Sequence, residues 1–283
     1  MNRFLSFCFD IGRIPTSVLL TAAEGLVRSL NYHNNHYEFI FYTNMPQMQQ
    51  LELAKQSNVR IIPYRLEDIP GEYGNNSWHN LSTFKLKAIS QNVNEKGEPP
   101  MWIDLDTIVC RNIDHLVNYP NFFIMQGTED ERLFEIFPGV SVVNKNYIQG
   151  NIWKLSPELF CIFTEMWAGF ERKPNYDLQG MFNYGYHFKE LKEKMLILGR
   201  DIDADTVNGL DVVHPVLLRH PSIGELRGRL RMDDHDRLIQ VPTDRKLQFF
   251  SFTFFTLSEF VRGNLFAQLE DKRAVAFFKA CGY

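Results

Sequence analysis

The sequence predicts an α/β fold built on a mixed, mostly parallel sheet, on the strength of two observations. Short runs rich in β-branched and aromatic residues alternate with amphipathic helical stretches through the first hundred residues. The strand-type runs also end on polar or glycine-containing turns, at Asp10-Ile11-Gly12, Thr43-Asn44 and Asp104-Leu105-Asp106. Right-handed crossovers between parallel strands collect ligands beyond the strands' carboxyl ends, so these three turns are expected to share one site.

In chain order, Phe4–Phe9 reads as the first strand, with Gly12 allowing a tight turn after it. Thr16 to Leu30 follows as a helix whose apolar positions Leu19, Leu20, Ala23, Leu26 and Val27 keep a 3.6-residue period. Tyr37–Tyr42 is strand two, Pro46 to Gln56 a helix and Val59–Tyr64 strand three. A helix from Ser77 to Gln91 carries Lys85 and Lys87, and Pro99-Pro100 ends the loop that leads to the apolar run Met101–Cys110. Beyond it we expect a short helix at Asn112–Val117 and strands at Phe122–Gln126, Val140–Val143 and Asn151–Leu155. A helix should run from Pro157 to Phe170, and another should begin near Asp177. Val212–His220 reads as a late strand ending on a histidine.

From residue 225 the character changes: a basic stretch at 227–231, an acidic one at 233–236, then a phenylalanine-rich run from Phe249 to Phe266. That run either packs a small helical and aromatic C-terminal extension (225–283) or forms a face for a membrane surface or a second copy of the chain. The 283 residues carry 30 Lys and Arg against 34 Asp and Glu, a net charge of −4, which makes nucleic acid an improbable partner. Four scattered cysteines fit neither a zinc ribbon nor a disulfide framework. No run is long and apolar enough to span a bilayer, so a cytoplasmic protein, at most peripheral to the membrane's inner face, is expected.

The chemistry concentrates in Met101–Cys110, where two carboxylates interrupt a buried-type strand. An ionised carboxylate there is costly unless it is paired or holds a metal. At i and i+2 on one strand, Asp104 and Asp106 would point the same way and converge on one divalent cation that also holds a diphosphate. The plainer reading is that the pair caps a helix starting near Asn112. An Asp-dependent phosphatase is a further alternative, but there a Thr or Val stands two places after the second Asp and the motif lies near the N-terminus. Here Thr107 comes one place early and the motif sits in mid-chain.

Ile103-Asp104-Leu105-Asp106-Thr107-Ile108-Val109, followed by Asn112-Ile113-Asp114-His115-Leu116, resembles the signature of metal-dependent, Rossmann-like nucleotide-sugar glycosyltransferases of the glycogenin and lipopolysaccharide-galactosyltransferase type. The similarity spans residues 1–224, with 1–110 as the nucleotide-binding half and 111–224 as the acceptor half. It implies sugar transfer from a UDP-linked donor to a glycan or glycolipid acceptor with retention of configuration, using Mn²⁺ or Mg²⁺. It also implies that Phe9-Asp10-Ile11 and Thr43-Asn44 lie near the nucleoside. Thr83-Phe84-Lys85-Leu86 is similar to an element whose lysine faces the donor phosphates, with Lys87 as competitor and a solvated helix face as the plain alternative. Asp177-Leu178-Gln179-Gly180 resembles a sugar-contacting Asp-Gln-Gly with one residue inserted, and an ordinary helix N-cap is its plain alternative. His220 matches a third metal ligand, with His214 the other candidate. A nucleotide- or glycan-binding protein that kept the fold without turnover is the alternative from another class.

Overall fold

A computed structural model describes residues 1–33, 36–69, 78–125, 131–143, 146–170, 177–198, 210–212, 228, 230–234, 238–240, 245–246, 249–251, 261, 263–264 and 266–283. Its centre is a seven-stranded sheet containing β1 (Asn2–Cys8), β2 (Tyr37–Thr43), β3 (Val59–Pro63) and β4 (Met101–Ile103). β6 (Phe122–Met125), β9 (Ile148–Lys154) and β10 (Ile197–Leu198) complete it, in the order β10-β6-β9-β4-β1-β2-β3. All neighbours are parallel except at β9, which runs against both β4 and β6. The expected mixed, mostly parallel sheet is therefore present.

Strand alternation sorts side chains to two faces. Phe4, Cys8, Phe39, Phe41, Met101 and Ile103 pack on one side under α1 (Thr16–Tyr32). Leu5, Phe7, Ile40, Tyr42 and Trp102 pack on the other under α2 (Trp78–Ser90), α3 (Pro157–Phe170) and α4 (Leu178–Phe188). α3 starts where Ser156 Oγ accepts from the Leu159 amide at 3.2 Å, a serine cap on a helix with Pro at its first position. α5 (Lys272–Ala280) is capped by Asp271, whose other carboxylate oxygen accepts from the Met232 amide at 2.6 Å.

Three small sheets complete the described residues. β7 (Leu133–Phe137) and β8 (Val140–Val143) form a hairpin over α4. β12 (Leu230–Met232), β13 (Leu238–Gln240) and β14 (Arg245–Lys246) form an antiparallel ribbon. β15 (Phe249–Ser251) lies between β11 (Leu210–Val212), to which it is parallel, and β5 (Thr107–Val109), to which it is antiparallel. Leu230, Met232, Leu238, Phe266, Phe277 and Phe278 join the same apolar cluster as α1 and β1.

Several expectations change. Pro46–Gln56 is two 3₁₀ turns, Pro46–Gln50 and Glu52–Lys55, with Leu51 extended between them. Met48 and Leu53, both buried, are five residues apart and would face different sides of one α-helix, so the break lets both reach the core. The hairpin strand β7 was not anticipated, although Pro138-Gly139 between two apolar runs, with Gly139 at φ +77°, is a readable turn signal. Met101–Cys110 is not one strand: the chain leaves the central sheet after Ile103, turns through Leu105-Asp106 and enters a second sheet as β5. A continuous strand would have held both carboxylates within a buried sheet, whereas the turn leaves Asp104 and Asp106 half-buried on the cleft. Only Val212 of the expected late strand is described; His214 and His220 lie outside the described residues, as do 213–227 generally.

Candidate active site at the switch point of the sheet

From β3 the chain returns past β1 to start β4 on its far side, so the strand order reverses between β1 and β4. Ligands in open α/β sheets bind outside the carboxyl ends at such a point. A cleft of roughly 790 Å³, measured out to open solvent, lies there. Phe7, Phe9, Ile11, Ile14 and Trp102 form apolar walls, and Lys85, Asp104 and Asp106 supply the charge. Its few charged groups set in apolar walls are the lining expected of a small-molecule site.

Each charged group has a structural reason to be there. Trp102 and Asp104 are two residues apart at the end of β4, and the indole Nε1 donates to Asp104 Oδ1 at 2.6 Å. Lys85, on the α2 face toward the sheet, donates to the same oxygen at 3.1 Å, with Nζ 4.2 Å from the Trp102 ring centroid. Lys87, its competitor in sequence, is exposed in the last turn of α2 and does not line the cleft. Burial, and then the neighbouring Asp104 charge, push the Asp106 carboxyl well above the usual carboxylate range, while Lys85 pulls it back. Leu105 is buried between the two carboxylates and anchors the turn. The Asp104 amide donates to the Asn151 carbonyl at 2.7 Å, which continues the β4–β9 pairing one step past β4.

The other sequence candidates fall in three places. Asp10 follows β1, but its carboxylate accepts from Gly12 N at 2.9 Å and from the Thr16 hydroxyl at 2.5 Å, bracing the turn into α1. The Asn44 amide exchanges two 2.8 Å hydrogen bonds with the Asp10 backbone, and the Thr43 hydroxyl donates to the Cys8 carbonyl at 2.6 Å. These groups fix the rim of the cleft; Thr43 and Asn44 themselves line an adjacent cavity with Tyr64, Arg65 and Glu67.

Asp177 and Gln179 sit at the start of α4. Asp177 Oδ1 accepts from the Gly180 amide at 2.5 Å, the N-cap geometry named as its plain alternative. Gln179 accepts from Gly150 N at 2.8 Å and donates to the Tyr147 hydroxyl at 2.6 Å. One turn on, Asn183 clasps both backbone groups of Ile148, at 2.8 and 2.9 Å. Gln179 and Asn183 thereby tie the first residues of β9 to α4, and β9 delivers Asn151 beside Asp104. Asn151 Oδ1 is buried without a donor among the described residues, an acceptor that a ligand hydroxyl would satisfy.

Trp102 and Tyr147 were missed from sequence. For Trp102 the signal was present: an indole two residues before a strand-end carboxylate shares its side of the strand. For Tyr147 there was none, since its partner is 32 residues away.

Asp104 and Asp106 flank one residue, open on one cleft and offer hard carboxylate oxygens, which fit a divalent Mn²⁺ or Mg²⁺. No group of three or more His, Cys, Asp or Glu able to hold a metal occurs among the described residues, and His220, the third ligand expected by resemblance, lies outside them. No protein-family model matches the chain, and no curated protein matches it.

Proposed function

We propose that the chain is a metal-dependent glycosyltransferase that moves a sugar from a nucleotide-sugar, UDP-linked by resemblance, to a glycan or glycolipid acceptor with retention. The observation that carries this reading is the pair Asp104 and Asp106 on a turn at the carboxyl end of β4, at the switch point, with Lys85 in the same cleft. A divalent ion held by these carboxylates would supply charge neutralisation for the diphosphate leaving group.

In this reading Trp102 and Lys85 orient Asp104, and Phe7, Phe9 and Ile11 give the donor a wall that excludes water. Gly12 and Asn44 hold the loop after β1 in shape through Asp10. On the other side, Asp177, Gln179 and Asn151 frame the sugar and acceptor end, because β9 and the first turn of α4 meet beside Asp104. The acceptor class, a bacterial surface glycan such as lipopolysaccharide, follows from the resemblance alone. So does a place at the inner face of the membrane; no helix among the described residues is long and apolar enough to cross a membrane.

The test is a screen of nucleotide-sugars for metal-dependent hydrolysis, paired with thermal melts. UDP with Mn²⁺ should raise the melting temperature more than either alone, and EDTA should abolish turnover. Turnover that persists undiminished in EDTA rejects the metal-dependent reading. Stabilisation by UDP and Mn²⁺ with no turnover on any donor would favour a binding protein of the same fold.

A further inference from the structure

The seat of Lys85 goes beyond a phosphate contact. Its ammonium is bonded to a carboxylate that the reading above assigns to the metal, and it shares a single oxygen with the Trp102 indole. The contact is sheltered, with the Lys85 and Asp104 side chains 19% and 32% exposed. Both bonds fall on Oδ1, so among the described residues Oδ2 is the oxygen left for a cation. A divalent ion entering there would meet the Lys85 ammonium across one carboxylate, and two cations on one carboxylate repel. Trp102 is fixed in the sheet and keeps its bond, whereas Lys85 is a flexible point charge on a four-carbon stem and can leave. An ammonium that leaves a sheltered pair needs another anion, because a buried charge without a partner is costly. The other carboxylate of the cleft, Asp106, would itself face the ion, so a nucleotide diphosphate in the same cleft would provide the anion.

We propose that Lys85 is the site's internal counter-cation: it holds Asp104 until a divalent cation and a nucleotide diphosphate enter together, and its transfer from carboxylate to phosphate makes their binding positively coupled. This rests on the metal-dependent reading above and adds the regulation of that site. Coupling of this kind is reciprocal, so the nucleotide tightens the metal by the factor by which the metal tightens the nucleotide. The ring beneath Nζ keeps the ammonium in the cleft during the exchange.

The experiment is a titration with Mn²⁺, read by the electron paramagnetic resonance of the free ion, with and without UDP. It uses the wild-type protein, Lys85→Met and Lys85→Gln, two variants of similar length, so that a folding failure of one leaves the other. In the wild type UDP should tighten Mn²⁺ at least about tenfold, within the usual range of coupling between sites. In the variants Mn²⁺ alone should bind at least about threefold tighter than to wild type, with the UDP effect at least about threefold smaller than in wild type, the remainder coming from direct contact between ion and diphosphate. Variants that bind Mn²⁺ no tighter than wild type, or keep the full UDP effect, overturn the counter-cation role and leave the metal reading standing. If no form binds Mn²⁺ with or without UDP, both fall.

Discussion

At the scale of single residues, Asp106 carries a conflict between stability and function. Its folded carboxyl titrates well above the usual range because of burial and then Asp104. A carboxyl raised by folding stabilises the protein fully below its unfolded value, and that contribution is lost as pH rises through the folded one. At neutral pH, where the unfolded carboxyl is free to ionise in water, the raised carboxyl of Asp106 is thus a cost to folding. Asp106→Asn should raise the melting temperature of the metal-free protein by at least about 2 °C, near 1 kcal/mol for a chain of this size, while abolishing transfer. A melt at pH 7.5 beside a donor assay checks both. Asp104→Asn should also abolish transfer but lower the melting temperature, because the amide answers the Lys85 charge poorly. If both variants keep wild-type turnover, the carboxylates have no metal to hold.

The two carboxylates were legible because charge in an apolar run demands an explanation, whatever the exact geometry. Their setting was less so. The strand end at the carboxylates was expected, but not that the rest of the apolar run enters another sheet, because β5 takes its partner from Phe249–Ser251, far along the chain. Lys85 was favoured over Lys87 by resemblance, and the packing of α2 against the sheet supplies the physical reason, since Lys85 lines the cleft and Lys87 is exposed.

At the scale of elements, the N-terminus of α4 is the instructive case. Asn caps a helix about as well as Asp, so Asp177→Asn should leave the melting temperature nearly unchanged. If the carboxylate also meets the sugar, transfer should fall at least about tenfold, near 1.4 kcal/mol of transition-state stabilisation. Unchanged transfer assigns Asp177 to its cap alone. The helix start was readable from Asp177 onward, whereas the clasp of Gln179 and Asn183 on β9 was not, since amide side chains declare no partner in sequence.

The C-terminal end of α1 supplies a pH-dependent contact. Burial lowers the His33 imidazole to about 4, against a hydrogen bond with the Val109 backbone that raises it. The ring also lies 6.0 Å from that of Phe277 on α5. A group depressed by folding gives stability that is complete above about 6.5 and is lost as pH falls toward 4, because the unfolded chain takes the proton first. Between pH 7 and 5 the wild type should lose about 1–2 kcal/mol more than His33→Gln, read from urea unfolding midpoints.

At the scale of the whole molecule, the C-terminal residues are packed into the body of the fold. A Cβ built on Gly25 of α1 would lie 2.3 Å from the Tyr283 hydroxyl, so glycine there is what admits the tyrosine ring. Gly25→Val should expel Tyr283 and destabilise the protein by roughly 1–3 kcal/mol, the usual cost of overpacking. Since Asp106 also acts on the Tyr283 hydroxyl, loss of transfer with UDP binding retained would mark a disturbed turn. A melting curve and a nucleotide titration separate the two effects. The aromatic run had two readings in sequence. Phe266, buried against Phe278 at 4.5 Å, sides with the core, and residues 252–260 lie outside the description.

The pairing of β5 with β15 also sets a clock on synthesis. The turn bearing Asp104 and Asp106 is held on one side by β4 and on the other by β5, and β5 gains its partner strand only with Phe249–Ser251. On a ribosome adding about 5–20 residues per second, the roughly 140 residues between the second carboxylate and that strand take about 7–30 s to appear. For that interval the nascent chain has β4 but not the strand that pairs with β5, so the turn bearing Asp104 and Asp106 is held on one side only. On the proposed function, a growing polypeptide could not complete the turn that would hold the ion until Phe249–Ser251 had emerged.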